Sequence, residues 1–123
     1  MIFDHLVLTV SDVEKSKRFY SNALTPLGIN LIKEEDGCVG FGNNGKPSFW
    51  ICSDGIVQKP MHIAFVALDR KSIDEFHAAG VSAGGQDNGA PGLREHYHPH
   101  YYGAFILDPD GHNIEAVCRQ VVK

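Results

Sequence analysis

Two stretches of the chain alternate apolar and polar positions and then shift to helical spacing. In HLVLTV, residues 5–10, the bulky residues Leu6, Leu8 and Val10 fall on one face and His5, Val7 and Thr9 on the other, as strand geometry requires. HIAFVAL, residues 62–68, repeats the arrangement, with Ile63, Phe65 and Ala67 opposed to His62, Ala64 and Val66. The two passages are copies in register. His5, Asp12 and Phe19 recur as His62, Asp69 and Phe76 at a constant offset of 57. A repeat of that length, with the same order of strand, cap and helix, divides the chain into two modules, about 1–57 and 58–123.

Each strand leads into a helix. In the first module Ser11 and Glu14 have capping-box spacing. Val13, Phe19, Tyr20 and Leu24 then face inward, and Pro26 with Gly28 stops the helix. In the second, Asp69 is the expected cap, Ile73 and Phe76 face inward with Ala79 or His77, and Gly80 is the expected end. Three strands should follow each helix, near 29–35, 37–42 and 47–53 and again near 81–86, 101–108 and 112–119. Turn signals separate them at Asp36-Gly37, at Asn43-Asn44-Gly45 and at Asp108-Pro109-Asp110-Gly111. Residues 86–100 read as a long irregular loop. The pattern is α+β, with the order βαβββ twice.

Composition narrows the function classes. The 123 residues suit one domain, and 43% apolar with 21% charged residues is ordinary for a globular protein. A formal net charge of −4, with no basic stripe, argues against nucleic-acid or anionic-membrane binding. No apolar run approaches a membrane span, and no signal-peptide pattern opens the chain. Cys38, Cys52 and Cys118 are odd in number and show no close pairing, which predicts free thiols in a reducing cytoplasm.

The strand faces point to chemistry. The bulkier face of each opening strand should pack on the following helix, leaving His5 and His62 on the opposite, concave face. In the closing strand HNIEAVC, Glu115 points with Asn113 and Val117 away from Ile114, Ala116 and Cys118. A carboxylate among such neighbours is costly to bury unless paired or bound to a cation. Two imidazoles and one carboxylate form a ligand set that suits Fe(II), Mn(II), Co(II), Ni(II) or Zn(II). A second histidine group stands in LREHYHPHYYG, residues 93–103, at positions 96, 98 and 100. Pro99 interrupts any clean strand there, so the segment reads as a wall over the metal site rather than the site itself.

HLVLTVSDVEKSKRFY, HIAFVALDRKSIDEFH and above all GAFILDPDGHNIEAV resemble the vicinal oxygen chelate superfamily. That group includes glyoxalase I, extradiol dioxygenases, fosfomycin thiol transferases and bleomycin-binding proteins. The resemblance covers essentially the whole chain. It implies two βαβββ modules forming an eight-stranded open, barrel-like sheet with helices outside. It also implies one divalent metal held by His5, His62 and Glu115, and a homodimer acting on a small molecule chelated through adjacent oxygens. If modules were exchanged between chains, His5 and Glu115 would meet His62 of a partner. Glyoxalase I carries a fourth ligand from the last strand of its first module; here that strand, Pro47 to Cys52, offers none. Lyase or isomerase chemistry is the leading reading. Dioxygenase, thiol-transferase and metal-free binding functions remain alternatives. The expected catalytic residues beside the metal are Arg94, His98 and Tyr101. Thr9, Phe49, Trp50, Arg94, His96, Tyr97 and Tyr102 are the expected substrate contacts, with Phe41 in the pocket wall.

Overall fold

A computed structural model describes residues 3–57 and 60–121. The expected boundary near 57 adjoins residues outside that set. The first module runs β1 (Leu6–Thr9), α1 (Val13–Leu24), a short 3-10 turn (Thr25–Leu27), β2 (Asn30–Glu35), β3 (Cys38–Asn43) and β4 (Lys46–Cys52). The second runs β5 (His62–Val66), α2 (Arg70–Ser82), β6 (Gln86–Leu93), β7 (Tyr102–Leu107) and β8 (Asn113–Cys118). The α+β, twice-βαβββ expectation holds. The eight strands form two open four-stranded mixed sheets, ordered β1-β4-β3-β2 and β5-β8-β7-β6. In each the opening strand lies parallel to the closing one, and the remaining pairs are antiparallel.

Local chemistry explains most boundaries. Asp36-Gly37 and Asn44-Gly45 all take positive φ, the signature of tight hairpin turns matched to strand twist. Asp69 caps α2 in a reciprocal box with Ser72. Three expectations are corrected. The cap of α1 is Asp12, whose carboxylate accepts from the amides of Glu14 and Lys15, rather than Ser11. Gly80 does not end α2; it lies inside the helix, where an added Cβ would strike Ala23 and Ile106, so glycine permits close packing on α1. Residues 86–93 form β6, not a loop, while 81–86 cover the end of α2, a turn and only the first residue of that strand. Its register shifts twice, around Gly89, which places a poor strand sequence on a bulged edge.

The helix-facing sides of both sheets share one core. Leu8, Phe19, Tyr20, Ile51, Phe76, Ile106 and Ile114 are buried within it. Phe49 of β4 packs edge-on against Phe65 of β5, with centroids 5.4 Å apart. Removing this many large side chains from water, each contributing about 1.5–3 kcal/mol, binds the modules back to back.

The cysteine expectation fails. Cys38 and Cys52 stand opposite each other on β3 and β4 and are joined as a disulfide, and only Cys118 is free and buried. Spacing in sequence concealed the contact, because the β3–β4 hairpin brings the two together. The cysteine count therefore no longer argues for a reducing compartment. Among the described residues, no helix is long and apolar enough to cross a membrane.

Candidate functional site

His62 and Glu115 meet on the outer face of the second sheet. Their strands are parallel neighbours, with Ala64 opposite Glu115 in the register. Nε2 of His62 lies 2.6 Å from Oε1 of Glu115. The carboxylate is only 1% exposed, whereas the imidazole opens to solvent. The other oxygen, Oε2, accepts a hydrogen bond from the hydroxyl of Tyr101. Burial, then the neighbouring Glu115 carboxylate, pushes the Tyr101 hydroxyl up to about 12, so it remains a donor at neutral pH. Apart from His62, no cationic side chain forms an ion pair with Glu115 among the described residues. A buried carboxylate facing an imidazole nitrogen, steadied from behind by a hydroxyl, fits one side of a divalent-ion site.

Aromatic and cationic groups surround the pair. Phe105 lies directly across the ladder from Glu115, and its ring centroid is 6.1 Å from that of His62. The guanidinium of Arg94 rests over Phe105 at 5.4 Å and donates to the carbonyls of Ala90 and Gly92. Arg119 lies 5.1 Å over the Tyr101 ring, which also meets Tyr97 edge-on. Phe105 and Arg119 escaped sequence reading. Strand parity could have found Phe105, because it alternates with Tyr101 and Gly103 along the chain.

The histidine segment closes on itself. The Arg94 amide donates to the carbonyl of Tyr101, and the amides of Tyr97 and His98 donate to the carbonyl of Arg94. His96 packs at a tilt against Tyr97, and Nδ1 of His98 accepts from the amide of His100. The segment thus presents Arg94, Tyr97 and Tyr101 to the site and uses His98 to shape its own turn.

His5 occupies a different face. It lines an open cleft of about 310 Å³ on the first sheet with Val7, Trp50, Cys38, Cys52, Glu35 and Asp36. Its Nδ1 is 2.7 Å from Oδ1 of Asp4, whose second oxygen accepts from Nζ of Lys46. Lys46 and His5 hold the Asp4 carboxyl down at about 2. That arrangement leaves Nε2 as the ring nitrogen without a hydrogen-bond partner among the described residues. Among the described residues, no three His, Cys, Asp or Glu side chains converge as a metal would require. His62 and Glu115 meet within one chain.

Other expected contacts sort by strand face. Trp50 lines the His5 cleft, and half-buried Thr9 pairs with Cys52, another of its lining residues. Phe41 and Phe49 instead lie in the core against Tyr20, and are not pocket walls. Tyr102 turns to the helix side, where its hydroxyl donates to Asp74 and Arg70 covers its ring. That hydrogen bond, with burial, raises the Tyr102 hydroxyl above the usual tyrosine value. Internal symmetry accounts for the missing fourth ligand. Val7 pairs with Trp50 as Ala64 pairs with Glu115, and Val7 and Ala64 are repeat equivalents, so an indole stands where the second module carries its carboxylate.

Two outward sheets, each with a histidine at the head of its opening strand, define a paired-module protein. Residues 2–116 match the family model described as Glyoxalase/Bleomycin resistance protein/Dioxygenase superfamily. The chain belongs to that superfamily. It is similar to a glyoxalase/bleomycin resistance protein from Albidiferax ferrireducens T118, at 30% identity and a TM-score of 0.84, covering 98% of this chain and 100% of that one. A family enzyme from Burkholderia phytofirmans PsJN shares the fold at 15% identity and a TM-score of 0.71, covering 95% and 98%. Glyoxalase I from Zea mays shares it at 18% identity and a TM-score of 0.71, over 98% of this chain and 45% of that one. No curated protein matches the sequence.

Proposed function

We propose that this chain is a divalent-metal-dependent enzyme of lyase or isomerase type, acting on a small substrate bound through two adjacent oxygens. The observation that carries the reading is the His62–Glu115 pair, a buried carboxylate and an imidazole at the positions the family resemblance assigns to metal ligands. His5 of a second copy completes the set through its free Nε2. Two-fold pairing sets the first-sheet face of one chain against the second-sheet face of the other and generates two equal sites. Apolar residues on those faces support it: Val7 is 48% exposed beside His5, and Val66 is 83% exposed in line with His62.

The metal, when bound, would supply Lewis acidity toward the chelated oxygens. The chain's own groups do the rest. Tyr101 keeps its proton and orients Glu115. Phe105 and Tyr97 supply apolar walls that exclude water. Arg94, with N–H groups beyond those given to the backbone, receives an anionic end of the substrate. Trp50 in place of a fourth ligand favours one second reading, a three-ligand dioxygenase.

A mixing experiment tests the shared site. H5A and H62A dimers should each lack metal. A statistical mixture should recover about one quarter of wild-type metal, because half the dimers then hold one intact site. No recovery would place the site elsewhere. Oxygen uptake with catechols and Fe(II), against turnover of methylglyoxal and a thiol with Ni(II) or Zn(II), separates the two chemistries.

A further inference from the structure

The disulfide lies on the outer, cleft-bearing side of the first sheet rather than in the core. Cys38 and Cys52 face each other across the β3–β4 ladder with Cα atoms 4.2 Å apart. The Ser53 amide donates to the Gly37 carbonyl, so the cysteines form a non-hydrogen-bonded pair, where cross-strand side chains come closest. Both line the cleft that holds His5 and Trp50. Access is unequal, because Cys38 is half-buried and Cys52 is buried. The free Cys118 is enclosed in the core.

Thiol–disulfide exchange requires a thiolate to reach one sulfur of the bond while the other departs. A crosslink opening on a cleft meets that requirement, and the ladder holds both sulfurs in place for re-closure. We propose that Cys38–Cys52 is a reversible redox pair that exchanges with low-molecular-weight thiols entering the cleft. The incoming thiolate attacks Sγ of Cys38, the S–S bond breaks, and Cys52 leaves as the thiolate and takes up a proton. A second external thiol then displaces Cys38 from the mixed disulfide. Two small thiols are oxidised to their disulfide, and the protein disulfide is reduced to two thiols. The reduced form places two soft sulfur donors on the wall beside His5. This inference is independent of the metal reading.

The test uses the whole protein in buffers of reduced and oxidised glutathione, quenched by alkylation and read by intact mass. Two alkyl groups should appear together as the buffer becomes more reducing, with Cys118 unlabelled. Fluorescence of Trp50, the sole tryptophan, should rise in parallel as the disulfide quencher beside it is lost. In C52S, oxidised glutathione should add to Cys38; in C38S, addition to Cys52 should be at least several-fold slower. A pair that resists reduced glutathione until urea unfolds the protein would overturn the proposal. So would Cys38 and Cys52 labelling independently in the native wild-type protein.

Discussion

His62 and Glu115 sit on adjacent parallel strands with Nε2 and Oε1 2.6 Å apart, a contact that the core-facing sides of the same strands hold in place. Replacing Glu115 by Gln keeps the side-chain shape but removes its charge. The expected outcome is a folded protein without stoichiometric metal, read by elemental mass spectrometry beside a thermal melt. His62→Ala should also lose metal and, by leaving a buried oxygen unpartnered, cost about 1–3 kcal/mol in urea unfolding.

Tyr101 touches the proposed metal site through Glu115. Tyr101→Phe should lower metal affinity about 10- to 100-fold, the usual effect of losing such a supporting partner. It should also change the alkaline stability profile. Folding raises this hydroxyl from 10.0 to about 12, so the protonated form is the one the fold favours. Its contribution is complete below pH 10 and is lost as pH rises through 12. Unfolding curves from pH 9 to 12 should therefore fall more steeply for wild type than for the Phe variant.

Gly103 makes room for that arrangement. A Cβ there would stand 3.2 Å from the Tyr101 ring and 3.5 Å from Oε2 of Glu115. Gly103→Val should cost about 1–3 kcal/mol from overpacking and reduce metal binding, as titration calorimetry would show. Retained affinity would mean that the carboxylate tolerates displacement.

Asp4 orients His5 from the surface. Asp4→Asn should weaken metal binding about 10-fold and lower the melting temperature only slightly, because its ion pairs with Lys46 and His5 are solvent-screened. Because the Asp4 carboxyl is lowered from 3.8 to about 2, its contribution is present above pH 3.8 and disappears as pH falls through 2. An unchanged affinity in the Asn variant would remove Asp4 from the site.

The fold was largely legible because it is written in periodicity. The 57-residue offset marked both modules, and alternation placed His5 and His62 on outer faces. Alternation also warned against naming Phe49 with Trp50, or Tyr101 with Tyr102, as co-lining residues, since strand neighbours face opposite ways. The strand Gln86–Leu93 was hidden by glycines, an asparagine and a proline, whose β-propensity is low and whose pairing is supplied by β7. Parity also says which face a histidine occupies, not which faces meet. That depends on how α1 and α2 pack, and it leaves His5 and His62 lining different surfaces of one chain.

The close approach at Gly80 has a thermodynamic consequence. Because α2 rests on Ala23 and Phe19 of α1, and Ile106 packs into the same contact, the two repeats share one hydrophobic interior. A fragment of about 60 residues would expose half of a shared core, at a size where stability is already marginal. The chain should therefore melt in a single transition, and expressing either half alone should yield an unfolded or self-associating peptide. Duplication is visible in the letters of this protein, but a continuous core joins the copies into one unit.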